Sequence, residues 1–296
     1  STGNEDIAVV NPATEEVIGE ISAANKDDID QAVAAAKVAY ESRVLVDMNP
    51  MERAKLMRSI ADELRKISKD GGALLCEENG KLLAASEYEF LDAANYFDYY
   101  SGLTDKIEGQ TIPVNNQVMD YTLYEPYGVS GHIVPWNFPI SMLARSLACS
   151  FAAGNSTVIK PAELTPLATT SCFAQAVHNA GVPKGLINIV TGYGVEAGAA
   201  LTSNQDVAQI TFTGSVKTGK IILHAAAERA VPAVVELGGK SAAVVLPDAD
   251  IDKVVNATKI GIFSQAGQIC SAMSRMIVHK SINCLLYTSP SPRDSR

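Results

Sequence analysis

Two residues have the types and settings of a reactive pair. Cys270 closes Gly267-Gln-Ile-Cys270, and Glu236 opens Glu236-Leu-Gly-Gly-Lys240. A thiol is a nucleophile that can carry an acyl group, and a carboxylate is a base that can activate water. Together they are the groups that take an aldehyde to an acid through a thioester, given a hydride acceptor. Alone, Cys270 reads more often as a buried, inert thiol. Glu236 is the stronger signal. It ends the apolar run Val234-Val235-Glu236-Leu237, and in parallel sheets ligands gather beyond the strand ends. Gly238 and Gly239 would let a ligand approach the backbone closely.

Other segments offer what such chemistry also needs. In Pro135-Trp136-Asn137-Phe138-Pro139 the Asn137 amide could donate to a developing oxyanion. It could equally be a plain N-cap on the following helix. Lys160-Pro161-Ala162-Glu163 follows a strand. Its charged ends suit ribose hydroxyls, and the carboxylate would repel a 2′-phosphate; the alternative is a solvated surface ion pair. Gly192-Tyr-Gly194-Val-Glu-Ala-Gly198 and Gly214-Ser215-Val-Lys-Thr-Gly219 both follow strands and open helices, where free amides and the helix dipole suit a pyrophosphate. Either could be only a tight turn.

The elements that must position these groups are legible in outline. Strands are predicted within 5–22, an Ala-rich helix over 28–40, and a helix after Asn49-Pro50-Met51-Glu52, read as a capping box. Leu56, Met57, Ile60, Ala61, Leu64 and Ile67 fall on one face of that helix. Residues 113–127 read as a hairpin turning at Asn115-Asn116. From Gly128, strands at 129–134, 157–160, 186–190, 209–213 and 231–236 alternate with helices, the second of them capped by Thr165. Five such strands predict an α/β fold with a doubly wound, parallel, five-stranded Rossmann-like sheet. Residues 1–238 then form the dinucleotide domain with its N-terminal helices and hairpin arm. Residues 239–283 begin a second α/β domain: a strand at 242–246, a helix start among Asp248, Asp250 and Asp252, and a strand at 274–279.

Composition narrows the function classes. The 296 residues are 47% hydrophobic and 19% charged, which gives enough apolar mass for a sizeable core. A net charge of −9 and a pI near 5.0 argue against nucleic acid as a partner. No apolar run is long enough for a membrane span. The five cysteines form no CxxC and no zinc-like spacing with the four histidines, so no metal is expected and a reducing, cytoplasmic setting fits. Ser1-Thr-Gly-Asn lacks a Met and a signal-peptide core; an upstream targeting segment stays open.

In this order, Asn11-Pro12-Ala13-Thr14, Pro135 to Pro139, Lys160 to Glu163, Phe212-Thr213-Gly214-Ser215, Glu236 to Lys240 and Gly267 to Cys270 resemble the NAD(P)-dependent aldehyde dehydrogenase family. The interval from Glu236 to Cys270 matches the family's usual one. The resemblance implies that Cys270 attacks an aldehyde and that Asn137 with the Cys270 amide holds the oxyanion. Glu236 then activates the hydrolytic water. It implies ribose contacts at Lys160 and Glu163 and a pyrophosphate contact at Ser215. Val134, Pro135, Trp136, Gly194, Gly198, Phe212, Gly214, Gly219, Leu237 and Gly238 complete the cofactor site. Segment 214–219 ranks above 192–198 as the pyrophosphate loop. NAD is favoured over NADP through Glu163, and hydrolysis over acyl transfer to coenzyme A through Glu236. The hairpin becomes an oligomerisation arm of a homodimer or homotetramer.

Two departures stand out. The family's Glu-x-Phe-Gly-Pro motif is absent. Residues 284–296, beginning Cys284-Leu-Leu-Tyr-Thr-Ser-Pro, resemble translated sequencing adapter rather than native protein; a natural Ser/Pro-rich tail is the alternative. The expectation is a fragment whose native sequence runs past 283, with apolar surface left exposed on 240–282. A chain that only binds NAD, or that assembles with intact subunits without catalysis, is the alternative function.

Overall fold

Antiparallel β1 (Asp6–Val10) and β2 (Val17–Ser22) open the chain of a computed structural model that describes residues 5–288. The chain divides into two units after Glu236. α1 (Lys26–Glu41) starts at Asn25, whose side chain and Asp28 exchange bonds with each other's amides in a capping box. α2 (Pro50–Lys66) is capped by Asn49, but the bond comes from the Met51 amide at 2.9 Å rather than from Glu52. The expected face of α2 is buried at Met57, Ile60, Ala61 and Leu64, with Leu56 and Ile67 partly buried. α3 (Ser68–Asn79) and α4 (Leu83–Ser101) follow. These two helices had no counterpart in the sequence reading, because their apolar residues are interrupted by Asp70, Glu77, Glu78, Glu87 and Glu89. Phe90 and Phe97 of α4 are fully buried.

The hairpin is shorter and shifted from its expected place. It comprises β3 (Thr111–Asn115) and β4 (Val118–Tyr121). Asn115 pairs with Val118, so the tip is Asn116-Gln117. Residues 122–125 are exposed and lie outside any strand.

The predicted sheet is present. β5 (Val129–Ile133), β6 (Ser156–Lys160), β7 (Ile187–Ile189), β8 (Val207–Gly214) and β9 (Ala233–Leu237) stand in the order β7-β6-β5-β8-β9. The pairings of β7 with β6, β6 with β5 and β5 with β8 are parallel. β5 and β6 are the most buried, as central strands packed on both faces must be. α5 (Pro139–Ala152) follows β5. A π-helical turn (Ala168–Phe173) running into α6 (Ala174–Asn179) follows β6. A second π-turn (Gly194–Gly198) leads into α7 (Ala199–Ser203), and α8 (Val216–Arg229) follows β8. Leu143, Leu147, Phe151 and Phe173 join α2 and α4 in one core.

The second unit has parallel β10 (Ala242–Val245) and β11 (Arg275–Val278) joined through α9 (Ile251–Phe263). Asp250 caps α9 through the Lys253 amide. No residue of α9 is buried; Ile260 and Phe263 are 70% and 75% exposed, which meets the expectation of uncovered apolar surface. Of the atypical tail, Cys284 to Tyr287 lie in α10 (Asn283–Tyr287); positions 289–296 fall outside the described residues.

Among the described residues, Arg53 and His132 of the first unit are buried and form no ion pair. Arg53 donates to the carbonyls of Ala152 (2.8 Å) and Leu45 (2.7 Å), so its charge sits at the negative end of α5. His132, in the middle of β5, is 1% exposed, and neither ring nitrogen is hydrogen-bonded. Burial lowers its pKa to about 4. An unfolded histidine binds a proton below about pH 6.5, whereas folded His132 resists it until about 4. Stability should therefore fall as pH drops through that window, by up to about 3 kcal/mol. Denaturant titrations from pH 7 to 4 should show this loss in the native protein and its absence in His132→Leu. A stability difference between the two that stays constant with pH would contradict it. Glu78, raised to about 7 by burial, slopes the opposite way between 4.5 and 7 in both proteins and cancels in the comparison.

Candidate functional site

The register of the sheet sets Ile133, Lys160 and Phe212 in one row near the C-terminal strand ends. The turn from β5 to α5, residues 134–138, grows out of that row and is held at almost every step. The Val134 amide donates to the Lys160 carbonyl (3.1 Å). The Trp136 carbonyl accepts from the Asn79 side chain (2.7 Å) and the Thr165 hydroxyl (3.1 Å). The Asn137 carbonyl accepts from Lys81 Nζ (2.7 Å).

The first-turn amides of α5 at Ile140 and Ser141 both donate to Glu89 Oε2, at 3.2 Å each. The residue before α5 is Phe138, with no side-chain cap bond of its own. Asn137 is thus not the helix cap, and the plain-cap reading fails. Thr165 likewise does not cap the next helix. The Glu78 carboxylate does, accepting from the amides of Leu167 (2.6 Å) and Ala168 (3.0 Å).

Past β6, Lys160 is 3% exposed and pairs with Glu163 at 2.8 Å. The lysine end is buried and the Glu163 side chain is 35% exposed, so the pair is only partly solvated. Partial burial disfavours the Glu163 anion, but the hydrogen bond and charge of Lys160 outweigh it and hold the carboxyl below its usual range. Past β7, Gly192 has φ +149°, and a Cβ there would lie 2.8 Å from that of Ala197. The glycine repeat continues into a π-turn at 194–198 and then only a five-residue helix. Past β8, a Cβ on Gly214 would lie 2.5 Å from the Phe212 ring. Ser215 caps the 14-residue α8 through the Thr218 amide (3.1 Å), and Gly219 is buried in its first turn. Of the two glycine segments, 214–219 therefore opens onto the longer helix, where the macrodipole is larger.

Glu236 is exposed near the end of β9. In the second unit, Gly238 has open space where a side chain would stand, and a Cβ on Gly239 would lie 3.6 Å from the Cys270 carbonyl oxygen. Cys270 is exposed in the turn between α9 and β11. Three residues before it in the chain, Gln265 (φ 52°), Ala266 (φ 53°) and Gly267 (φ 77°), are left-handed. For the two non-glycine residues this conformation stores about 1–3 kcal/mol each, the kind of strain that clusters at reactive centres.

The sequence reading missed Asn79, Lys81 and Glu89, which hold the 134–138 turn, and Glu78. Their available signal was the polar cluster Glu77-Glu78-Asn79-Gly80-Lys81 at the end of a helix, which by itself resembles any solvated terminus.

A family model described as "Aldehyde dehydrogenase family" matches residues 1–286. An aldehyde dehydrogenase of Emericella nidulans is 40% identical over 275 residues, covering 93% of this chain and 55% of the relative. The mitochondrial aldehyde dehydrogenase family 2 member B4 of Arabidopsis thaliana is 41% identical over 285 residues, covering 95% and 53%. The chain thus spans about half the length of the curated relatives it matches. Among solved structures, the NAD+ complex of an aldehyde dehydrogenase from Bacillus cereus superposes with a TM-score of 0.92 at 39% identity, covering 96% of this chain and 58% of that one.

The Lys160–Glu163 pair can be tested directly. Replacing Lys160 with Met leaves burial, the largest influence on the carboxyl, opposed only by the smaller effect of the Glu163 backbone amide, so the Glu163 pKa should move from below its ordinary value to above it. In the native protein, the stability Glu163 contributes is present above its unfolded pKa and lost as pH falls through the lower folded one. In Lys160→Met the sign reverses. Carboxyl NMR titration reads this; an unchanged Glu163 pKa would show that the two groups do not interact in solution.

Proposed function

The chain belongs to the aldehyde dehydrogenase family, and from that premise we propose that the protein carrying it oxidises an aldehyde to the free acid with NAD. The observation that supports the reading is the strapped 134–138 turn, which carries Asn137 out of the row of strand ends, where ligands of parallel sheets gather.

The residues at those strand ends fit NAD. The Lys160–Glu163 pair, with its lysine buried and its carboxylate partly exposed, offers a donor and an acceptor to ribose hydroxyls. The Phe212 ring packs against Gly214 and leaves no place for a side chain there, and the α8 amides at Ser215 and beyond suit a pyrophosphate. Val134, Pro135, Trp136, Gly194, Gly198, Gly219, Leu237 and Gly238 would complete the site. An anionic Glu163 disfavours a 2′-phosphate, so NAD is preferred to NADP. When bound, NAD supplies the hydride acceptor for the two-electron oxidation.

The chain's own residues do the rest. Cys270, as thiolate, adds through Sγ to the aldehyde carbon and forms a thiohemiacetal. The Asn137 amide and the Cys270 N–H hold the oxygen as charge develops on it. Loss of hydride from that carbon leaves an acyl thioester on Cys270. Glu236 takes a proton from water, which attacks the thioester carbonyl; the acid leaves and the thiol is restored. The carboxylate at 236 is what directs the acyl group to water rather than to another thiol.

Further parts of the reading rest on sequence resemblance. The 111–121 hairpin, exposed along its whole length, serves as an arm between subunits of a homodimer or homotetramer. A cytoplasmic location is proposed; no described helix is long and apolar enough to cross a membrane.

The test uses the complete protein in which this sequence occurs, with NAD and a simple aldehyde. Cys270→Ala should abolish turnover and NADH formation. Glu236→Gln should keep a single-turnover burst of NADH while steady-state turnover falls by about 10²–10⁴-fold. Sustained turnover in Cys270→Ala would overturn the assignment.

A further inference from the structure

The junction of α3 and α4 reaches the reactive turn through one buried ion pair. The Lys81 side chain is 1% exposed and that of Glu89 3%. Lys81 Nζ donates to Glu89 Oε1 and to the Asn137 carbonyl (2.7 Å), and it stands 4.4 Å from the centre of the Phe138 ring. Its three protons therefore have three partners: a carboxylate, a carbonyl and an aromatic face. The second oxygen of Glu89 takes the Ile140 and Ser141 amides.

The pair thus grips the chain on both sides of the turn. Lys81 holds the carbonyl of Asn137 itself, and Glu89 holds the amides three and four residues later. One step upstream, Asn79 holds the Trp136 carbonyl. Two successive peptide planes are fixed from the 79–89 segment. Fixing the planes that flank Asn137 fixes the direction of its Cα–Cβ bond, and with it the reach of the side-chain amide.

We propose that Lys81 and Glu89 are positioning residues for Asn137: they orient its amide toward the oxygen of the reacting carbonyl without touching substrate. This rests on the reading of Asn137 as an oxyanion donor. An oxyanion donor works only if aimed before charge develops, and its removal costs about 10²–10³-fold in rate. A ligand-independent clamp on its backbone supplies that aim. An arginine at 81 would keep charge and donors but not the compact ammonium geometry. A methionine keeps the length and loses all three bonds.

The experiment is a double-mutant cycle in the complete protein, read by the single-turnover rate of hydride transfer, with NAD affinity and thermal midpoint measured alongside. Asn137→Ala is the reference and should slow hydride transfer about 10²-fold. Lys81→Met should slow it about tenfold or more with NAD affinity unchanged. In the Asn137→Ala background Lys81→Met should cost nothing further, because the group it aims is gone. Lys81→Arg should recover part of the rate. Glu89→Gln, which keeps the shape and an acceptor for the helix amides, gives a second cycle if Lys81→Met does not fold. Additive losses from Lys81→Met and Asn137→Ala would overturn the positioning role and leave the pair as packing alone. A normal rate in Asn137→Ala would instead overturn the parent reading, and the two failures are told apart by that single variant.

Discussion

Two helices of this fold begin inside the protein, and their first amides must find acceptors there. A helix N-terminus leaves its leading N–H groups unpaired, and an unpaired buried donor costs about 1–3 kcal/mol. After β5 and β6 the chain enters α5 and the helical run 168–179 with no side-chain cap bond of its own at either start. Both needs are met from one place. Glu89 serves α5 and Glu78 serves the next helix. The carboxylates suffer for it: burial pushes both carboxyls up, Glu78 to about 7. The amides, the helix dipoles and the Lys81 charge act in the opposite direction on both.

That arrangement explains why α3 and α4 belong with the sheet they do not join. They carry the acceptors that let the helices after two βα turns start at buried residues. The same helices fill the core with Phe90 and Phe97, so the caps are held by packing rather than by floppy side chains. At its other end α5 meets a cation, the Arg53 guanidinium on the Ala152 carbonyl. Acid at the N-terminus and base at the C-terminus both favour the α5 dipole. The turn that carries Asn137 is thus fixed relative to the strand before it, the helix after it and the helical layer above it.

Legibility in the sequence followed the range of the physics. Each βα unit shows itself locally through β-branched runs, glycines and helical periodicity, so the five strands were placed within a few residues. Local cap chemistry was half right. Asn49 does cap, and the helix start read among Asp248, Asp250 and Asp252 is present, but Thr165 turned out to serve the Trp136 carbonyl, and Glu52 was bypassed for Met51. The misses share a cause: Glu78, Lys81 and Glu89 act on backbone more than 50 positions away, and nothing in 77–89 marks those charges as buried. Lys160 and Glu163 were visible as a pair because they are three residues apart, though the burial of Lys160 was not. The hairpin register slipped because exposed strands have no buried face to pin it.

The burial of Lys81 and Glu89 is itself an argument about purpose. Taking two charges out of water costs several kcal/mol per ion, and well-packed apolar residues of the same volume serve stability as well or better. Glu89 alone could be rationalised as a cap, since its amide partners need an acceptor. Lys81 cannot, because an acid capping a helix needs no cation to do so. What Lys81 adds is a bond to one particular carbonyl, that of Asn137, and an aromatic contact with the residue after it. A buried ammonium is a costly way to fill space and an effective way to fix a peptide plane. The economy of the fold is therefore better understood if the pair is retained for the orientation of residue 137 than for the stability of the helices it joins.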